Sequence, residues 1–188
     1  MEEYQDIQAM LTEGENLLLT IKPNKKRFTL TSSIATLIFS LLFGSIFLLL
    51  GILIVTGVII GDGEFITGGI FFIVFGSIPL ISAIINVVGR FVRYKNTLYV
   101  ATDRRLIIRS GFVGVDYKEI SIKSIQAINV RVDALDKLVK PNTGTIYFGT
   151  TSIPIINDKS GKTTGFQFEN IDNPYENYKK LKEIISIE

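Results

Sequence analysis

Two stretches of this chain contain no Asp, Glu, Lys or Arg: Phe28 to Gly61, 34 residues, and Phe65 to Gly89, 25 residues. The hydrocarbon core of a bilayer is about 30 Å thick, and a helix that crosses it needs roughly 20 predominantly apolar residues. Both stretches exceed that length, and only Asp62 and Glu64 stand between them as charges. The pattern predicts a membrane hairpin of two helices joined by a short turn.

The first stretch would be on the order of 50 Å long if wholly helical, at about 1.5 Å rise per residue. Tilt or protruding ends must absorb the excess, and the buried parts are placed at residues 34–58 and 66–88. Gly57-Val-Ile-Ile-Gly61 has the spacing that small residues use for close helix approach, read here as packing within the hairpin near its turn. Pro79 is a candidate kink, and Asn86 falls near the inner end. No ionisable residue lies mid-span, although a proton relay or ion path usually leaves one there; a transporter is disfavoured. A cleaved signal peptide is disfavoured too, because the polar leader is 27 residues and the apolar run far exceeds a signal core of roughly 7–15.

Lys22, Lys25, Lys26 and Arg27 precede the first span, Arg90, Arg93 and Lys95 follow the second, and the turn carries no basic residue. Basic residues at span ends are retained in the cytoplasm. The expectation is a multi-pass protein of the cell membrane with both termini cytoplasmic. The chain then divides into an N-terminal segment 1–27, the hairpin 28–89 and a tail 90–188, long enough for one small domain. With neither cysteine nor histidine among 188 residues, disulfides and thiolate chemistry are excluded, and the usual general base and commonest metal ligand are missing.

After Lys95 the sequence changes to short alternating runs. Thr97–Thr102 and Arg105–Ser110 read as a hairpin around Asp103-Arg104, with Leu106 and Ile108 on one face and Arg105, Ile107 and Arg109 on the other. Asp116–Ile122, Ala127–Val132, Gly144–Thr150, a weak edge strand at Ile153–Ile156 and Thr164–Glu169 follow, about seven strands in all. The last element changes period. Asn173, Pro174 and Glu176 have the pattern of a capped helix start with a capping box. Tyr175, Tyr178, Leu181, Ile184 and Ile185 then recur at steps of three and four.

The segments Tyr99-Val-Ala-Thr-Asp-Arg-Arg-Leu-Ile-Ile-Arg-Ser-Gly111, Lys118-Glu-Ile-Ser-Ile-Lys-Ser-Ile-Gln126, Gly144-Thr-Ile-Tyr147 and Ile171-Asp-Asn-Pro174 resemble the bacterial pleckstrin-homology-like (PH-like) domain of small membrane proteins. The family plan of two spans followed by this domain fits as well; the head matches more loosely, through Gly14-Glu15 and Lys22-Pro23. Asp136-Lys-Leu-Val-Lys-Pro-Asn142 departs from the Gly-Arg-Leu-Phe-Gly type of segment often seen there. The resemblance implies a membrane α-helical hairpin plus a mainly β, α+β PH-like domain: a seven-stranded split barrel capped by a C-terminal helix. It implies no enzyme activity, and fold alone does not fix function.

The tail holds 16 basic and 11 acidic residues, beside a leaflet where each well-placed Lys or Arg gains about 1 kcal/mol. Arg90, Arg93 and Lys95 read first as topology anchors. Arg104, Arg105 and Arg109 read first as a solvated hairpin partnered by Asp103 and Glu119. Together these six are the candidate contacts for anionic lipid. No catalytic, cofactor-binding or metal-ligating set stands out: Asp158-Lys-Ser-Gly-Lys-Thr163 lacks the first glycine of a phosphate loop, and Asp133 and Asp136 read as a solvated turn. The positive charge is too diffuse for nucleic acid. The expected role is a module for protein interaction or self-assembly at the inner membrane face, with a peripheral sensor of anionic headgroups as the alternative.

Overall fold

A computed structural model describes residues 2–29, 34–58, 65–137, 142–157 and 163–186. Asp62 and Glu64 of the turn, Gly61, Pro141 and the Asp158–Lys162 segment lie outside the described residues. The chain forms two compact units, Thr29–Phe91 and a second made of Met1–Phe28 together with Val92–Glu188.

The first unit pairs two apolar helices. In order along the chain these follow α1 (Glu2–Met10), β1 (Leu17–Ile21) and α2 (Lys25–Thr29), and are α3 (Ile34–Val55) and α4 (Ile66–Asn96). Helix α3 stops three residues before the expected Val58. Gly57 adopts φ +71°, the Val58 N–H bonds the Leu53 carbonyl and the Gly57 N–H bonds that of Ile54, both at 3.1 Å. That double bond pattern needs a left-handed residue, which glycine supplies without steric cost. So Gly57 ends α3, and Gly61, the other half of that spacing, lies outside the described residues. The close approach comes from Gly44 and Gly51 on α3 against Gly76 and Gly69 on α4: a Cβ at Gly76 would lie 2.8 Å from the Leu48 nitrogen, and one at Gly51 2.8 Å from the Ile73 nitrogen. Helix α4 passes through Pro79 and continues past Val88 to Asn96.

In the second unit, α4 is followed at once by β2 (Leu98–Thr102), β3 (Arg105–Ser110) and β4 (Asp116–Ser121), then a single 3-10 turn (Ile122–Ser124) and β5 (Ile125–Arg131). Next come α5 (Ala134–Lys137), β6 (Thr143–Thr150), a two-residue ribbon of β7 (Ile156–Asn157) and β8 (Thr163–Thr164), β9 (Phe166–Asp172) and α6 (Pro174–Ser186). The strands form two antiparallel sheets, β1-β2-β3-β4 and β5-β6-β9. Seven strands were expected and seven build the two sheets, but their membership differs. Ile153–Ile156 contributes only the ribbon, and the seventh strand is β1, from ahead of the apolar helices.

The sheets face each other over Tyr99, Ala101, Leu106 and Ile120 from one and Ile146, Phe148, Phe166 and Phe168 from the other, with Leu181 of α6 closing one end. Tyr99 stacks on Phe168 at 4.7 Å between ring centroids. At one corner the sheets nearly join, through a bridge between Pro23 and Ile171. Part of the outer face of the first sheet is covered too: Leu98, Val100 and Ile107 bury against Ile7 of α1. The head therefore does not stand apart. It supplies an edge strand and a cover. Because β1 precedes both apolar helices and β2 follows them, a single crossing would put a bilayer between paired strands, so the hairpin crosses twice or not at all.

Helix α6 starts where expected but is capped differently. Asn173 sits at φ +48° and offers its backbone carbonyl to the N–H groups of Glu176 and Asn177, both at 3.1 Å. The Glu176 carboxylate accepts from Lys180 at 2.7 Å in place of the capping-box contact. Tyr175, expected on the apolar face, is exposed.

Candidate functional site

The head is fixed to the sheet by charge. Glu15 is buried. Its carboxylate accepts from the Arg105 guanidinium at 2.9 and 3.0 Å, from the Thr102 hydroxyl at 2.8 Å, and from the backbone N–H and hydroxyl of Thr12 at 2.9 Å each. Burial alone would raise its pKa, but the bonds from Arg105, Thr12 and Thr102 outweigh burial and lower it to about 2. Arg105 also meets Glu119 at 2.5 Å and the Met10 carbonyl at 2.8 Å. Four residues further along β3, the buried Arg109 donates to Asp6 of α1 at 2.8 Å and to the Asn96 carbonyl at 3.1 Å. A third tie joins Arg27 of α2 to Asp136 of α5 at 2.5 Å, both buried. Asp136 is thus no part of the solvated turn that its sequence suggests but a buried acceptor, which takes bonds also from Thr143 at 2.9 Å and from the Asp133 N–H at 2.8 Å.

The six candidate lipid contacts thus fall into different settings. Arg105 and Arg109 are ion-paired within the fold. Arg104 is exposed and donates to Thr12 at 3.2 Å. On α4, Arg90 is half-buried, Lys95 is exposed, and the exposed Arg93 lies 5.8 Å from the Phe112 ring centroid. Asp103, expected to partner the hairpin arginines, instead accepts from the backbone and side chain of Asn16, both at 3.1 Å.

Two concavities were invisible to the sequence reading, because each is assembled from elements distant along the chain. One, of about 550 Å³, opens between the sheets, where Thr97, Ile108 and Lys118 face Phe166 and Glu169. Cations and carboxylates both line it, so it selects for neither sign. The other, of about 540 Å³, lies between β5 and α6 and is walled by Asn129, Val130, Arg131, Tyr147, Tyr175 and Tyr178. Both fall within the usual volume of small-ligand sites, about 300–1,000 Å³. The second has three tyrosines and an arginine, the residue types that dominate protein-binding hot spots. It also adjoins β5, whose outer edge pairs with no strand among the described residues.

The comparisons agree with this architecture. A family model described as Bacterial PH domain matches residues 33–185. The chain belongs to that family. No curated protein and no solved structure matches it. The matched region begins after Arg27, so the head of this bacterial PH domain protein, with β1 and Glu15, lies outside it. PH-like domains are non-catalytic scaffolds, and among the described residues no group of His, Cys, Asp and Glu could hold a metal ion. Helices α3 and α4 are long and apolar enough to cross a membrane. Their large side chains, among them Phe39, Leu42, Phe71 and Ile84, point outward and are exposed, unlike those of a soluble protein's core helix. This bacterial PH domain protein is a non-catalytic, membrane-associated module.

Proposed function

We propose that the protein is a membrane-anchored interaction module at the inner face of the cytoplasmic membrane, which binds a protein segment, its own or a partner's, in the concavity between β5 and α6. The observation that carries this reading is the Tyr147–Tyr175–Tyr178 wall beside an unpaired strand edge. Such an edge accepts an added strand through backbone hydrogen bonds while side-chain pockets supply selectivity. Tyr175, a large amphipathic side chain lining the concavity, is 66% exposed. The inner-face assignment rests on the basic residues Lys22, Lys25, Lys26, Arg27, Arg90, Arg93 and Lys95 that flank the spans. Headgroup sensing by Arg104, Arg105 and Arg109 is the weaker reading, because Glu15, Glu119 and Asp6 already match the charge of Arg105 and Arg109.

A photo-reactive residue at Tyr175, in full-length protein in native membranes, is expected to form an adduct whose mass separates self-association from a second protein. The same group at Lys182, exposed on α6 outside the concavity, is expected to form little. Tyr175→Ala should leave stability within about 0.5 kcal/mol yet weaken the contact by about 2 kcal/mol, roughly thirty-fold. Equal adducts at both positions would reject the site.

A further inference from the structure

A tight turn of the domain presents the most exposed large apolar residue among the described residues. Between β3 and β4 the chain reads Gly111-Phe-Val-Gly-Val115, with Val113 94% exposed and Phe112 and Val115 exposed beside it. A Cβ on Gly111 would lie 1.9 Å from the Gly114 carbonyl oxygen, so the loop closes on glycine and holds its apolar side chains outward. Three clustered apolar groups at a loop tip are costly in water and call for a cover.

The loop's attachments indicate what covers it. The Asn96 side chain, at the C-terminal end of α4, donates to the Gly111 carbonyl at 3.3 Å. One residue on, the Phe112 ring lies 5.8 Å from Arg93. The start of the loop is therefore held by side chains of the last turn of α4, at Arg93 and Asn96. Helix α4 has 31 residues, about 46 Å at 1.5 Å per residue. That is close to the thickness of a bilayer with both headgroup layers, about 40–45 Å, so a spanning α4 would carry Arg93 at headgroup level.

We infer that the β3–β4 loop is a third membrane contact, with Phe112, Val113 and Val115 inserted into the headgroup–acyl boundary of the leaflet that α4 leaves. The occupant is lipid. Arg93, beside the Phe112 ring, sets positive charge at the insertion to face anionic headgroups. This rests on the membrane association of α3 and α4, and not on the β5–α6 concavity.

The chain has no cysteine, so Val113→Cys carries a fluorophore at one site only, and an exposed position tolerates it. Full-length protein in nanodiscs of phosphatidylethanolamine and phosphatidylglycerol is expected to lose its label's emission to doxyl-bearing lipid and to keep it against aqueous iodide. Ser124→Cys, exposed in the 3-10 turn, is expected to behave oppositely. Quenching of the Val113 label by iodide as strong as at the Ser124 site would overturn the inference. Protection from both quenchers would overturn it too, by showing that protein covers the loop; that result leaves an adduct at Tyr175 unaffected, so the two proposals fail separately.

Discussion

Replacing Glu15 by Gln removes the charge at the centre of the head–sheet clasp while keeping its shape. The wild-type carboxylate is lowered from 4.5 to about 2. At about 1.4 kcal/mol per tenfold, that lowering corresponds to about 3 kcal/mol, in line with the cost of about 3–5 kcal/mol for stripping one partner from a buried ion pair. The sign follows from linkage. The folded-state value lies below the unfolded one, so the stabilisation is complete above about pH 5 and disappears as pH falls towards 2. Glu119→Gln is the matched control: it contacts the same arginine at 2.5 Å, but its side chain is 51% exposed, and an exposed pair contributes under about 1 kcal/mol. Hydrogen exchange on full-length protein in detergent reads the result at the amides of Val100 and Ile107. At pH 7, Glu15→Gln should raise their exchange roughly a hundredfold, and Glu119→Gln less than tenfold. Below pH 4 the wild type should converge on Glu15→Gln. Equal effects of the two variants, or a constant gap between wild type and Glu15→Gln down to pH 2, would refute the argument.

Two further outcomes concern the other ties. Arg27→Ala or Asp136→Ala should each cost about 3–5 kcal/mol, and the double variant should cost well under their sum, a non-additivity readable by the same exchange measurement. Gly76→Leu should overpack the helix pair at the cost of about 1–3 kcal/mol or more, measured as a lowered thermal midpoint of the detergent-solubilised protein, whereas Gly68→Leu, with open space around it, should change little.

What could be read in advance was local. Uninterrupted apolar runs announce α3 and α4, alternation announces β2, β3 and β9, and the three-and-four spacing of Tyr178, Leu181, Ile184 and Ile185 announces α6. What escaped depends on partners far along the chain. Leu17-Leu-Leu-Thr-Ile21 is a short apolar segment that could have been read as a strand, but nothing local says that Ile21 pairs with Tyr99 across two apolar helices. Asp136 looks like any turn carboxylate until Arg27 arrives. The same holds for the concavities, whose walls meet only once both sheets and α6 have assembled. The helix seam is legible in the sequence, since Gly44 and Gly51, like Gly69 and Gly76, stand seven residues apart, two helical turns that keep both glycines of a pair on one face.

That β1 and β2 belong to one sheet sets an order on biosynthesis. Strand β1 leaves the ribosome long before β2, its neighbour in the sheet, and Arg27 waits longer still for Asp136. If only one of the two helices crosses, the early strand and its late neighbour end up in separate compartments, and the face of Val100 and Ile107 stays bare. A finished sheet is thus a built-in report that both strands reached the same side.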